Sequence, residues 1–238
     1  MKKLNIAAMS FFIVIIMVFA SCNSFHMTGN GDLITSERTV SSFHKISSGG
    51  SIEICFYESS EYRVTITTDS NLMEYVTSEI RNNTLYLGQK SGSYSFTEIS
   101  VDVYCPFVTS VSMSGSGKFS ANDAITAQEF ELHISGSGKV EGEINCGTFN
   151  AVVSGSGIIN ISGYNEDSNI NISGSGKFNG LDFIIKKADV NISGSGNVNV
   201  HVTENLKAVV SGSGTLNYRG EAQVDKNIDG SGKINKLL

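Results

Sequence analysis

From Ser110 to the C-terminus, apolar residues fall at every second position in short runs, and the runs recur in step. One column reads Met113, Ile134, Val153, Ile172, Ile192, Val210 and Ile228. A second, further along each run, reads Phe119, Val140, Ile159, Phe178, Val198, Leu216 and Ile234. A third reads Val111, Leu132, Ala151, Ile170, Val190 and Ala208, with Lys226 in the last place. Even spacing is the period of a strand, whose side chains alternate between faces, and not of a helix.

Between the first two columns stands Ser-Gly-Ser-Gly, as Ser114–Gly117, Ser135–Gly138, Ser154–Gly157, Ser173–Gly176, Ser193–Gly196 and Ser211–Gly214. A last copy reads Asp229-Gly230-Ser231-Gly232, and successive starts lie 21, 19, 19, 20, 18 and 18 residues apart. A flexible Gly/Ser linker has no reason to hold three apolar columns in register. In-phase strands with no helix between them cannot build a helix-crossover sheet. They build a coil in which each turn stacks on the last and the columns share one core. At roughly 3.3 Å per residue, such a turn holds about three short strands and their corners. The pattern predicts an all-β, single-stranded parallel β-helix, a β-solenoid with coils of about 19 residues.

The polar positions follow the same repeat. Both glycines of each motif are predicted to point inward at a bend, where a side chain has no room and a positive φ is needed. The serines, among them Ser116, Ser137 and Ser175, take the outward parity, as do Lys118, Lys139, Lys177 and Lys233. Asn160, Asn179, Asn199, Asn217 and Asn235 form another outward column. Coils stack about 4.8 Å apart, so identical polar side chains can hydrogen-bond along the axis as ladders. The lysine column and its serine neighbours are the candidate ligand face; a solvated stripe is the competing reading.

The regular array occupies residues 114–238, with Lys226 and Asn235-Lys236 predicted to cap its end. Residues 33–113 keep strand signals without the marker and are read as irregular first coils of the same solenoid; a separate small β-domain is the rival. Within them Leu72 to Ile80 has partly helical spacing, Asp69-Ser70-Asn71 and Asn82-Asn83 read as turns, and Gln89 to Ser95 reads as a polar loop. Residues 22–32 are predicted to be a polar tether.

Residues 1–21 have the form of a lipoprotein signal peptide. Lys2 and Lys3 precede an apolar run from Leu4 to Ala20, and Ala20-Ser21 precede Cys22. Cys22 is then the lipidated first residue of the mature chain, held at a membrane by its acyl groups. A run of about 17 residues interrupted by Asn5 and Ser10 is short for a membrane span. Removing the leader takes the net charge from −6 to −8, with 15 basic and 23 acidic residues left, which argues against a nucleic-acid partner.

The lipobox, a β-rich half containing Asp69-Ser70-Asn71-Leu72-Met73, and the Ser-Gly-Ser-Gly coils together resemble the DUF2807 family of Bacteroidetes proteins, described as auto-transporter adhesin, head GIN domain. The resemblance covers about residues 33–238. It implies a right-handed parallel β-helix on an envelope lipoprotein, and it carries over no catalytic residue. Export would use the lipoprotein route, since no membrane barrel follows the repeats.

Other chemistries fit poorly. Gly-Ser-Gly-Lys lacks the Walker spacing, and strands, not a helix N-terminus, follow it. Calcium-binding β-rolls use nonapeptides with Asp where this repeat carries Lys. A pectinase-like enzyme needs two carboxylates across a cleft, but Glu141, Glu143 and Asp182 do not recur with an Arg or His beside them. His26, His44, His133 and His201 show no metal spacing, and no serine elbow has triad partners. Neither metal nor cofactor is expected. Of the remaining cysteines, Cys105 is in phase with the core, while Cys55 is the better disulfide candidate; Cys146 is the third.

The sequence therefore points to a non-catalytic envelope lipoprotein, placed at the outer membrane by its lack of an inner-membrane retention signal, offering a repetitive surface to a glycan or protein. A polysaccharide-acting β-helix enzyme and a periplasmic structural or sensing lipoprotein are the alternatives.

Overall fold

The computed structural model describes residues 26–238; the leader and Cys22 lie outside the described residues. Most of the described chain is strand. The irregular half contains β1 (His26–Thr28), β2 (Leu33–Thr39), β3 (Lys45–Gly50), β4 (Glu53–Glu58), β5 (Arg63–Asp69), β6 (Val76–Arg81), β7 (Thr84–Gln89), β8 (Ser93–Ser95) and β9 (Ile99–Cys105). The repeats begin with β10 (Ser110–Gly115), β11 (Lys118–Ala121) and β12 (Ile125–Gly136). They continue through β13 (Lys139–Gly155), β14 (Ile158–Gly174), β15 (Lys177–Gly194) and β16 (Asn197–Gly212). β17 (Thr215–Arg219), β18 (Gln223–Gly230) and β19 (Lys233–Lys236) form the last turns.

Every repeat pairs in parallel with the one before it, so that Gly115, Gly136, Gly155, Gly174, Gly194, Gly212 and Gly230 lie in register down the stack. This is a parallel β-solenoid. Except in the last coil, the predicted apolar columns are buried in one continuous core. Its widest part is filled by Phe130, Phe149, Phe178 and Phe183, with Phe149 ring centroids 6.3, 6.1 and 5.2 Å from the other three. Burying such aromatic side chains supplies the largest apolar contribution per residue.

The two glycines of the corner do different jobs, which corrects the expectation that both point inward. The first adopts φ between +114° and +129° in every copy, and this left-handed turn takes it out of the alternation. At Gly155 a Cβ would lie 2.6 Å from the Gly136 carbonyl oxygen in the coil below. Only the second glycine faces the core: at Gly157 a Cβ would lie 2.6 Å from Ile134 Cγ2. Close stacking excludes a side chain at the first position, and core packing excludes it at the second.

The irregular half joins the same sheet. β3 pairs in parallel with β10, and β4 with β11, placing Gly50 opposite Gly115. Gly49-Gly50-Ser51-Ile52 is therefore a degenerate corner, missed in the sequence because Ile52 replaces the second glycine. β7 and β9 pair in parallel with β3 and β4 to form the coil before it. Beyond that coil the chain reverses: β6 runs antiparallel to β7, β5 to β9, and β2 to β5.

Two local expectations change, and the Asn82-Asn83 turn is found where it was expected. Leu72 to Ile80 is helical only over Met73–Tyr75, after which Val76 enters a strand. Asn82 and Asn83, with φ of 49° and 58°, make the tight turn between β6 and β7, where two residues with positive φ suit a hairpin. The stretches read as tether and polar loop instead supply β1 and β8, which pair with each other in parallel. At the far end Lys226 faces Ala208 in register and is exposed, with Ile228 on the same strand 41% exposed.

Candidate binding face

Stacking sets which outward residues meet. Lys118 lies directly opposite Lys139, but the column then runs through Ile158, Lys177, Asn197 and Thr215 before reaching Lys233. The lysines thus form one adjacent pair and two isolated members. The pair shares one carboxylate, from the same coil as Lys139. Glu141 accepts from Lys118 Nζ at 2.9 Å and also from Lys139. Hydrogen bonds from Lys139, then Lys118, and from Asn160 pull its carboxyl down to about 2. The same contact raises the Lys118 ammonium above its ordinary value. Lys177 and Lys233 have no carboxylate partner among the described residues.

Glu141 also ends a ladder. Asn160 Nδ2 donates to Glu141 at 3.1 Å, Asn179 to Asn160 at 2.7 Å, Asn199 to Asn179 at 3.0 Å, Asn217 to Asn199 at 2.9 Å and Asn235 to Asn217 at 3.0 Å. Each amide donates downward and accepts from above, so the chain of bonds has one direction. The serines do not form such a ladder. Ser116, Ser137 and Ser175 are exposed, and their backbone N–H groups donate to Gly50, Gly115 and Gly155 one coil below at 3.0, 2.9 and 2.9 Å. Their hydroxyls have no side-chain partner among the described residues. They are free to meet solvent or a ligand.

A groove that the sequence did not suggest crosses the neighbouring face. It has a volume of about 230 Å³ and is bordered by Ser112, His133, Val152 and Ser154 with the edges of Met113 and Ile134. Register aligns Ser112, His133 and Val152 in one outward column, and Val152 is 36% exposed. The available signal was phase: Val152 is apolar at an outward position.

The carboxylates weighed for hydrolysis are engaged separately. Glu143 accepts from Asn145 Nδ2 at 3.0 Å, and Asp182 lies 3.9 Å from Arg219. In the surface cleft beside Pro106, Asp123 accepts the Glu58 N–H at 2.9 Å. Among the described residues no group of three His, Cys, Asp or Glu side chains could hold a metal. The histidines are dispersed: His26 bonds Ser93, His44 stacks on Phe107, His133 borders the groove and His201 meets Arg219. Cys55, Cys105 and Cys146 are all free thiols, so Cys55 does not enter a disulfide among the described residues. Burial pushes Cys105 up to about 12 and Cys146 to about 11.

Two polar residues are buried at special places. Asp69 is fully buried and accepts from Thr97 N, Thr97 Oγ1 and Gly31 N, each at 2.8 Å. Burial opposes its charge, but these bonds outweigh it and hold the carboxyl below its ordinary value. Asn165 is buried in a coil corner, where its Nδ2 donates to the Gly147 carbonyl at 2.9 Å.

The fold and its faces define a β-solenoid of stacked polar columns around a filled core. Over residues 42–222 the chain matches DUF2807, "Putative auto-transporter adhesin, head GIN domain", and it belongs to that family. It is similar to an adhesin of Parabacteroides merdae, so described in its crystal structure: 26% identity, 90% of this chain and 99% of the other covered, TM-score 0.75. A Parabacteroides distasonis structure described as a lipid binding protein gives 26% identity, 90% and 100% coverage, and TM-score 0.77. A Bacteroides fragilis structure described as "a putative adhesin" shares the fold at 22% identity, 88% and 99% coverage, and TM-score 0.81. No curated protein matches the chain.

Proposed function

We propose that this chain is a lipid-anchored, non-catalytic protein of the cell envelope that acts as an adhesin. Its repeated outward faces would meet a glycan or a protein on a cell surface. The observation that carries this reading is the ladder from Glu141 to Asn235, which keeps one side of successive coils rigid and evenly spaced beside free serine hydroxyls. Rigid, regularly spaced polar groups suit an extended repetitive partner, because little side-chain freedom is lost on contact. Family membership and the P. merdae adhesin support the same class. The description of the P. distasonis relative as lipid binding agrees less well with an interior site, since phenylalanines fill the core here.

Lys177 and Lys233 are the cations this face leaves for an anionic ligand. Binding to a sulfated or uronate glycan array should fall severalfold in Lys177→Ala with Lys233→Ala, with circular dichroism unchanged. Equal binding would remove them from the ligand face. Protease treatment of intact cells, with lysed cells as control, tests display: protection until lysis would overturn the adhesin reading.

A further inference from the structure

The start of the described chain is fixed, where a tether would hang free. His26–Thr28 pairs with Ser93–Ser95, and His26 Nδ1 meets Ser93 Oγ at 2.8 Å. Asn71 Nδ2 donates to the Thr28 carbonyl at 2.9 Å, Gly29 N to the Ser95 carbonyl at 2.8 Å, and Gly31 N to the buried Asp69 at 2.8 Å. His26 is therefore a fixed point on the body of the solenoid. Only Asn23, Ser24 and Phe25 separate it from Cys22. Fully extended, that connection spans at most about 14 Å.

This fixed point lies at one extreme of the stack. β2 pairs only with β5 among the described strands, and its Leu33 and Ile34 are 41% and 40% exposed. From β2 the strands follow in the order β5, β9, β4, β11, β13, β14, β15, β16, β17 and β19. Ten strand spacings place the last coil about 48 Å away.

We infer that the solenoid stands on the bilayer by its N-terminal end, with Leu33 and Ile34 at the lipid headgroups and the Gln223–Lys236 turns pointing away. The inference rests on Cys22 being the lipidated residue of the proposed function. A connection of this length leaves no stalk, so the end carrying β1 and β2 must lie against the membrane. Lying flat would press against the bilayer long sides that expose mainly Asn, Ser and charged columns, with Val152, Tyr164 and Ile184 as scattered apolar exceptions. Desolvating those polar columns is costly, whereas the exposed Leu33 and Ile34 at the tip gain by entering the interface.

The test uses the full lipidated chain in vesicles of phosphatidylethanolamine and phosphatidylglycerol containing a headgroup-linked quencher. With Cys55→Ser as background, a fluorophore is placed at Asp32→Cys or, at the far end, at Ser231→Cys. Quenching at position 32 should exceed that at position 231 at least fivefold. Fatty-acid labelling, lost in Cys22→Ala, reads the anchor separately. Labelled protein quenched equally at both positions, or at neither, would overturn the standing pose while leaving the anchor intact. Absence of label would overturn the anchor and the pose together.

Discussion

Asn160 donates its side-chain amide to the carboxylate of Glu141 one coil below, at 3.1 Å. That bond joins two systems which the sequence shows as separate columns, the asparagine ladder and the lysine pair. It also means that Lys118 and Lys139 are structural cations, committed to Glu141, while Lys177 and Lys233 stay available.

The ladder should be worth measurable stability. Asn179→Ala removes one donated and one accepted bond on an exposed face, so about 1 kcal/mol should be lost. Urea unfolding followed by circular dichroism measures it. No change in midpoint would reduce the ladder to a solvated stripe.

Glu141 makes stability depend on acid. Its folded carboxyl is depressed to about 2, so its contribution is fully present above the ordinary value of 4.5 and is lost as pH falls towards 2. The thermal midpoint of the protein should drop through this window, and Glu141→Gln should flatten part of the drop. An identical acid profile in the variant would remove Glu141 as a contributor.

The corner glycines should both resist substitution, for different reasons. Gly155→Ala combines a left-handed backbone with a clash on a carbonyl oxygen, and Gly157→Ala drives a methyl into Ile134. Each should cost about 1–3 kcal/mol. Only the second should be partly rescued by Ile134→Leu, which lacks the crowding Cγ2 methyl. A double-mutant cycle in urea distinguishes them.

Asp69 should hold the N-terminal strand in place. Asp69→Ala removes three charge-assisted bonds and should cost about 2–4 kcal/mol. Amide exchange should quicken first at Gly29–Gly31 and Thr97. Uniform acceleration across the repeats would show instead that Asp69 supports the whole stack.

Thiol reactivity should follow burial. Burial raises the pKa of all three thiols, but Cys105 and Cys146 are buried while Cys55 is half-buried. Native protein at pH 8 should take up maleimide at Cys55 and spare the other two until unfolded, as peptide mass spectrometry would show.

Three apolar columns and a motif recurring every 18 to 21 residues were enough to determine the coil, its core and the outward asparagine and lysine positions. Periodicity carries this information because a strand alternates its faces and a solenoid repeats its corners. The tertiary structure decided what period cannot encode. Ile158, Asn197 and Thr215 stand in register where lysines would continue the column, and stacking brings Glu141 between the first two lysines. The left-handed φ of Gly155 separates its role from that of Gly157, although the two look alike in sequence. Where the motif decays, at Gly49-Gly50, pairing with Ser114-Gly115 reveals the corner. The antiparallel cap and the docking of His26–Thr28 rest on long-range strand pairings and on contacts such as those of Asp69 with Gly31 and Thr97, which no local pattern announces.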